Sequence, residues 1–171
     1  MKKVFYVIFF FALSLNSQNI LNERERAVVV NEILKDRFEN LLPKLMDRTG
    51  IDMWILISRE YNEDPVLRNM LPAEWLNARR RTIILFYRDK ENNSLDKLAV
   101  ARYNFGENII SAWDKESEPN QWKRLNQLIE ERNPKKIGIN FSKHFNIADG
   151  IDKTDYDEFI ENISKLNREK I

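Results

Sequence analysis

Apolar residues in the first third of the chain recur at helical spacing. From Asn22 to about Arg48 they return every three or four positions, which predicts a long amphipathic helix. Asn22 and Glu25 have the spacing of a capping box, Pro43 predicts a kink or a second helix start, and Gly50 ends the segment. The predicted stripe consists of Val30, Ile33, Leu34, Phe38, Leu41, Leu42, Leu45 and Met46.

Five later segments have the patterns of β-strands. The first is apolar on both faces, which predicts a central strand covered on both sides. The polar residues 89–94 separate the second from the third and predict a hairpin turn. The predicted strands are residues 52–57, 82–87, 97–103, 108–113 and 136–141.

Helical patterns lie between these strands. Asp64 followed by Pro65 predicts an N-cap and a short helix to about Met70. Residues 119–132 predict a helix, and a last one is predicted to open at Thr154 with Asp157 in capping-box position. Its predicted stripe is Tyr156, Phe159, Ile160, Ile163 and Leu166. A hairpin combined with strand–helix crossovers predicts an α/β fold with a mixed β-sheet flanked by helices.

Composition fits one globular domain. The chain has 171 residues, of which 43% are hydrophobic and 32% charged, and its formal net charge is +1. This near-neutral balance argues against nucleic acid as a partner. The sequence contains no cysteine, which excludes a disulfide framework, thiolate metal sites and a cysteine nucleophile.

The N-terminal residues have the layout of a secretory signal peptide. Lys2 and Lys3 precede a run of apolar residues from Val4 to Leu15, and Ser17 offers a small residue for cleavage. The prediction is a signal peptide over residues 1–17 and a mature domain over residues 18–171, exported to the periplasm or the extracellular space. Membrane contact is expected only through this segment before cleavage. An uncleaved anchor is the alternative.

A polar stretch after the predicted central strand is the best candidate for ligand contact. Arg59, Glu60, Tyr61, Asn62 and Glu63 leave the carboxyl end of that strand, where open α/β sheets tend to bind ligands. They are candidates for the rim of a site that grips a polar or peptide ligand. The alternative is that the next residue, an aspartate, caps the following helix while the other side chains are solvated or paired.

Other charged groups give weaker signals. The run Arg79–Arg81 holds an anion through bidentate contacts, or else is a solvated helix end before a buried strand. A late acidic cluster fails the EF-hand pattern, because Phe145 and Ile147 stand where oxygen ligands are needed, and it fits a helix N-terminus instead. The cluster consists of Asp149, Asp152, Asp155, Asp157 and Glu158. His144 is the only histidine, and we predict no catalytic and no metal-binding residue in this chain.

Several strings together resemble one family. They run in continuous register over roughly residues 24 to 165: Leu41-Leu42-Pro43, Gly50-Ile51-Asp52-Met53-Trp54-Ile55, residues 58–65, Ala78-Arg79-Arg80-Arg81-Thr82, Ala99-Val100-Ala101-Arg102-Tyr103, residues 133–140 and Ala148-Asp149-Gly150. This combination resembles the N-terminal domain of exported Xaa-Pro aminopeptidase-like members of the creatinase/prolidase family.

The resemblance implies a non-catalytic role. In that family a separate C-terminal domain of pita-bread fold holds two divalent metal ions through two Asp, one His and two Glu, and none of these ligands carries over to this chain. The α/β N-terminal domain contributes oligomer contacts and walls part of the substrate cleft. The chain is expected to lack that domain's last strand, to need no cofactor of its own and to be inactive alone. The implied partners are the family's catalytic domain, a second copy of the chain and proline-containing peptides.

Three hypotheses therefore remain. The first is an exported accessory domain of a peptidase that serves substrate gating and oligomer contacts. The second is a free-standing periplasmic binding module. The third is a small hydrolase that uses the carboxylates of Glu60, Glu63 and Asp64, which requires two of them to face each other in a pocket.

Overall fold

Residues 20–171 contain one five-stranded mixed sheet with helices on both faces. The computed structural model describes residues 20–171, so the predicted signal segment 1–17 lies outside the described residues. The strands are β1 (Met53–Arg59), β2 (Arg81–Asp89), β3 (Ser94–Ala99), β4 (Ile110–Ser111) and β5 (Ile137–Ile139), in the order β4-β3-β2-β1-β5. The predicted α/β class with a mixed, helix-flanked sheet is confirmed.

Helices precede β1, lie between β1 and β2 and between β4 and β5, and follow β5, as the sequence predicts. They are α1 (Glu23–Asp36), α2 (Leu42–Thr49), α3 (Pro65–Arg68), α4 (Gln121–Arg132), α5 (Lys153–Asn162) and α6 (Lys165–Arg168). A π-helical turn over Arg37–Leu41 joins α1 to α2, and a 3-10 turn spans Asn146–Ala148. No helix in the described range 20–171 is long and apolar enough to span a bilayer.

Strand β1 is an interior strand of the sheet, with β2 on one side and β5 on the other. It pairs antiparallel with β2, with Met53 opposite Tyr87, and parallel with β5, with Met53 opposite Ile137. Strands β2 and β3 form the predicted hairpin, and β4 runs parallel to β3. Hydrophobic clusters cover both faces of the sheet, one beneath α1 and α2 and the other beneath α4 and α5. The prediction that the first strand is buried on both sides is confirmed.

The third strand occupies a different range from the predicted 97–103. It begins at Ser94 and ends at Ala99, because the chain turns away from the ladder there. The side chain of Gln121 donates a hydrogen bond of 2.6 Å to the carbonyl of Val100, and Ala112 N–H donates to the carbonyl of Ala99. A helix side chain and the residue after β4 thus satisfy the backbone carbonyls at the end of β3 and just beyond it.

The helical segment formed by α1, the π turn and α2 begins and ends where the sequence predicts. The Asn22 side chain accepts from Glu25 N–H at 3.0 Å, and the Glu25 carboxylate accepts from Asn22 N–H at 3.1 Å, which completes the capping box. Gly50 ends α2 in the left-handed region, with φ of 69°. Pro43 lies in the first turn of α2, where its missing N–H costs nothing.

The apolar stripe of this helix is only half buried, which corrects the prediction. Leu34, Phe38, Leu42 and Met46 are buried, one every fourth position, whereas Val30, Ile33 and Leu41 are exposed. In a regular α-helix, residues four positions apart are rotated by about 40° around the helix axis. The stripe would therefore rotate by about 120° between Leu34 and Met46. The extra residue of the π turn removes about 100° of that drift. The four buried side chains therefore stay on one face.

Helix α5, which corresponds to the predicted last helix, begins earlier than the sequence predicts. Its N-cap is Asp152 rather than Thr154, because the Asp152 carboxylate accepts from Asp155 N–H at 2.8 Å. The helix ends at Asn162, and Ile163 adopts an extended backbone. Leu166, which was predicted to belong to the buried stripe, lies instead on the separate helix α6 and is exposed.

Candidate functional site

Two loops meet at the carboxyl end of β1. Arg59, the last residue of β1, lies opposite Arg81, the first residue of β2. Beyond this pair Glu60 N–H donates to the carbonyl of Arg80 at 2.8 Å, and the Glu60 carboxylate accepts from Arg80 N–H at 3.3 Å. The loop after β1 and the loop before β2 are therefore held together by backbone hydrogen bonds.

Asp64 belongs to the framework of this end of the sheet. Its carboxylate accepts from Leu67 N–H at 2.8 Å, which confirms the predicted N-cap, and from the Asn140 side chain at 3.0 Å. Asn140 also bonds both backbone groups of Ile57, at 2.9 and 2.7 Å. A Cβ atom on Gly150 would lie 1.8 Å from the Asp64 carboxylate. The position therefore accepts only glycine without movement of this buried cluster.

Glu63 is likewise turned inward. Its side chain is 2% exposed and accepts hydrogen bonds from Ala78 N–H at 2.8 Å and Tyr61 N–H at 3.1 Å. Burial opposes ionisation, but backbone N–H donors and the nearby Arg68 outweigh it and hold the pKa of Glu63 below its ordinary value. This carboxylate fixes the loop through its Oε1 atom, which accepts both N–H groups, and its Oε2 atom lies 3.8 Å from the Arg68 guanidinium.

Arg59 is bound to the start of α5. Its guanidinium lies 3.2 Å from the Asp152 carboxylate and donates to Asp155 at 2.8 Å. The hydrogen bond to Asp155 raises the pKa of Arg59 above its ordinary value. Asp155 is completely buried, and its Oδ2 atom has no hydrogen-bond partner among the described residues. Of the acidic cluster predicted to lie at a helix N-terminus, Asp152 is the cap and Asp155 lies in the first turn of α5.

The remaining candidates stay at the surface. Tyr61 is 86% exposed and has a φ of 70°, a left-handed conformation that costs energy in a residue with a large side chain. Asn62 is exposed and Glu60 half-buried. The structure thus separates the predicted rim residues into a fixed group, Arg59 and Glu63, and an accessible group, residues 60–62.

An arginine-rich cavity adjoins this loop. It has a volume of about 460 Å³, and its charged lining consists of Glu60, Arg79, Arg80, Arg81, Arg102 and Lys115. Arg79 and Arg80 lie in an irregular loop that leads into β2, which corrects the predicted helix end. Sequence reasoning identified the run of three arginines but missed Arg102 and Lys115, which are far along the chain and carry no motif.

Among the described residues, this region shows no arrangement of side chains that suits metal binding or nucleophilic catalysis. Within residues 20–171 no group of three or more His, Cys, Asp and Glu side chains is placed to hold a metal ion. His144 is exposed, in the loop before the 3-10 turn. The hydrolase hypothesis requires facing carboxylates, but Glu63 and Asp64 accept hydrogen bonds from the framework instead.

Comparison with known proteins gives one structural similarity. No protein-family model matches the sequence, and no curated protein matches it. A Xaa-Pro dipeptidase from Bacillus anthracis aligns with a TM-score of 0.41 and 15% sequence identity, over 81% of this chain and 32% of that chain. The chain thus spans about a third of the length of that dipeptidase.

Proposed function

We propose that this protein is a non-catalytic accessory domain of an exported Xaa-Pro aminopeptidase-like metallopeptidase. Its role is to wall a substrate cleft and to make contacts with a catalytic domain or with a second copy of the chain. The continuous resemblance over roughly residues 24 to 165 supports this assignment. Export through residues 1–17 belongs to the same proposal, and N-terminal sequencing of the mature protein is expected to begin near Gln18.

The observation that carries the proposal is the state of the loop after β1. Its carboxylates and Arg59 are used to fix the backbone, and the large hydrophobic side chain that this framework presents to solvent is Tyr61, at 86% exposure. A large aromatic side chain held outward in a costly conformation suits a contact role, because tyrosine offers much area at little entropic cost. Such a loop recognises a partner or a peptide and does no chemistry.

A second surface supports a role in assembly. Helix α1 exposes Val28, Val29, Val30 and Ile33, each at 40% exposure or more. At 100° per residue Val29, Val30 and Ile33 fall within about 100° of one another and form an exposed aliphatic stripe, which is typical of interaction surfaces, and Val28 lies beyond it.

Site-specific photocrosslinking in the producing cell tests the contact role. A benzophenone amino acid is placed at Tyr61 in one strain, at Ile33 in a second and at the exposed Leu166 in a control. We expect the Tyr61 strain to give an adduct containing a metallopeptidase polypeptide or a second copy of this chain, identified by mass spectrometry. An adduct pattern at Tyr61 equal to that at Leu166 would contradict the proposal.

The arginine-rich cavity favours a different reading, a free-standing binding module. A module of this kind needs a ligand site within the chain, and the cavity beside Glu60 and Arg80 is a candidate for it. The two functions separate in the crosslinking experiment, because a free-standing module gives no metallopeptidase adduct at Tyr61.

A further inference from the structure

We propose that the arginine-rich cavity binds a multiply charged oxyanion, a phosphate-type group or a polycarboxylate. The cavity is lined by five cationic side chains and one acidic side chain, Glu60. Guanidinium groups match the oxygens of phosphate and carboxylate in bidentate geometry. A singly charged anion would leave most of the positive charge of this cavity unbalanced.

Four of the five cations have no acidic partner within the described range. Arg79, Arg80, Arg102 and Lys115 form no ion pair with any residue of 20–171, whereas Arg81 is paired with Asp155 and Glu158 at 2.9 and 2.6 Å. Glu60 already accepts a hydrogen bond from backbone N–H of Arg80. The uncompensated charge of the cavity is therefore about three positive units, four cations against one carboxylate.

Aromatic contacts hold part of this cationic lining in place. The Arg79 guanidinium lies 5.4 Å from the centre of the Trp75 ring, and that ring stacks on Tyr103 at 5.2 Å. Arg81 lies 4.5 Å from the centre of the Trp122 ring, so its side chain is fixed from both sides. A guanidinium already held by a ring loses less entropy when it binds an anion.

The backbone supports the same arrangement. Arg80 has a φ of 46°, a conformation that is costly for a residue with a Cβ atom, and the bonds to Glu60 hold it there. The consequence is that three successive arginines, Arg79 to Arg81, all line one cavity. On a regular strand, successive side chains would point to opposite faces.

The size of the cavity sets the class of ligand. A volume of about 460 Å³ exceeds the needs of a single inorganic ion and falls within the range of small-molecule sites. Tyr103 and Trp113 provide an apolar wall beside the cations. The site thus fits a small organic molecule that carries two or more oxyanion groups.

Calorimetric titration tests this assignment. Pyrophosphate and citrate are titrated separately into the purified protein in a chloride buffer of constant ionic strength. We expect saturable binding of at least one of them, weakened tenfold or more in the double variant Arg79→Gln/Arg102→Gln. The control is Arg24→Gln/Arg26→Gln on the exposed part of α1, for which we expect a change below twofold.

The two probes distinguish the source of the oxyanion. Tighter binding of pyrophosphate assigns a phosphate-type ligand, and tighter binding of citrate assigns a polycarboxylate. Absence of saturable binding by both probes, or equal weakening in the cavity and control variants, would overturn the assignment. Lys115→Gln repeats the test at an independent position, and circular dichroism verifies that each variant is folded.

Discussion

Arg59 and Arg81 lie directly opposite each other across β1 and β2, and both guanidinium groups donate to the same oxygen of Asp155. Two like charges in facing positions destabilise a pair of strands. The buried carboxylate of Asp155 compensates both and at the same time ties the N-terminus of α5 to the end of the sheet. This contact explains why an arginine can occupy both the last position of β1 and the facing first position of β2.

We expect Asp155→Asn to lower the free energy of unfolding by about 1–3 kcal/mol. The change keeps the side-chain volume but leaves two facing arginines without their anion, and the loss is moderated because both remain partly exposed. Urea denaturation at pH 7 measures the effect. The control Asp157→Asn removes an exposed partner of Lys153 and is expected to cost less than about 0.5 kcal/mol. Equal losses would contradict a special role for Asp155.

Gly150→Ala is expected to destabilise the protein by about 2–3 kcal/mol. The added methyl group would overlap the Asp64 carboxylate, which is buried and bonded to Leu67 and Asn140, so the cluster must move or break. Gly50→Ala serves as the matched control, since it meets no atom within 4 Å and suffers only from its φ of 69°. Its expected cost is about 1 kcal/mol. A larger loss at Gly50 than at Gly150 would argue against a packed cluster.

Glu63 contributes stability that depends on pH. Because its pKa is lowered in the folded protein, its contribution is present above the ordinary value of 4.5 and is lost as the pH falls through the folded value. We expect Glu63→Gln to be less stable than wild type at pH 7, and the gap to narrow below pH 4.5. Denaturation curves at several acidic pH values measure this gap. A gap that widens on acidification would show the sign to be wrong.

The main elements were predictable because their signals are local. The Asn22–Glu25 capping box, the Asp64 N-cap and the apolar β1 each depend on neighbours within a few residues. The exposure of Leu41 was not predictable, since one π turn shifts the helical phase before α2. The prediction depends on a regular helical period of 3.6 residues, which the π turn at residues 37–41 interrupts.

The site was predictable only in part, for a similar reason. The loop after β1 follows from the position of the strand, but the sequence gives no sign that Glu63 turns inward to Ala78. The cavity combines Arg79 with Arg102 and Lys115, which the fold brings together over a long separation. Only the basic run itself was visible as a pattern.

We propose that this protein makes contacts and performs no peptide hydrolysis of its own. The most direct measurement is an assay of the purified protein with X–Pro peptides in the presence of Mn²⁺, Co²⁺ or Zn²⁺, with release of the N-terminal residue followed by chromatography. We predict no release above the rate without protein, in wild type and in Glu60→Ala alike. Metal-dependent release by the wild type that disappears in Glu60→Ala would contradict the claim.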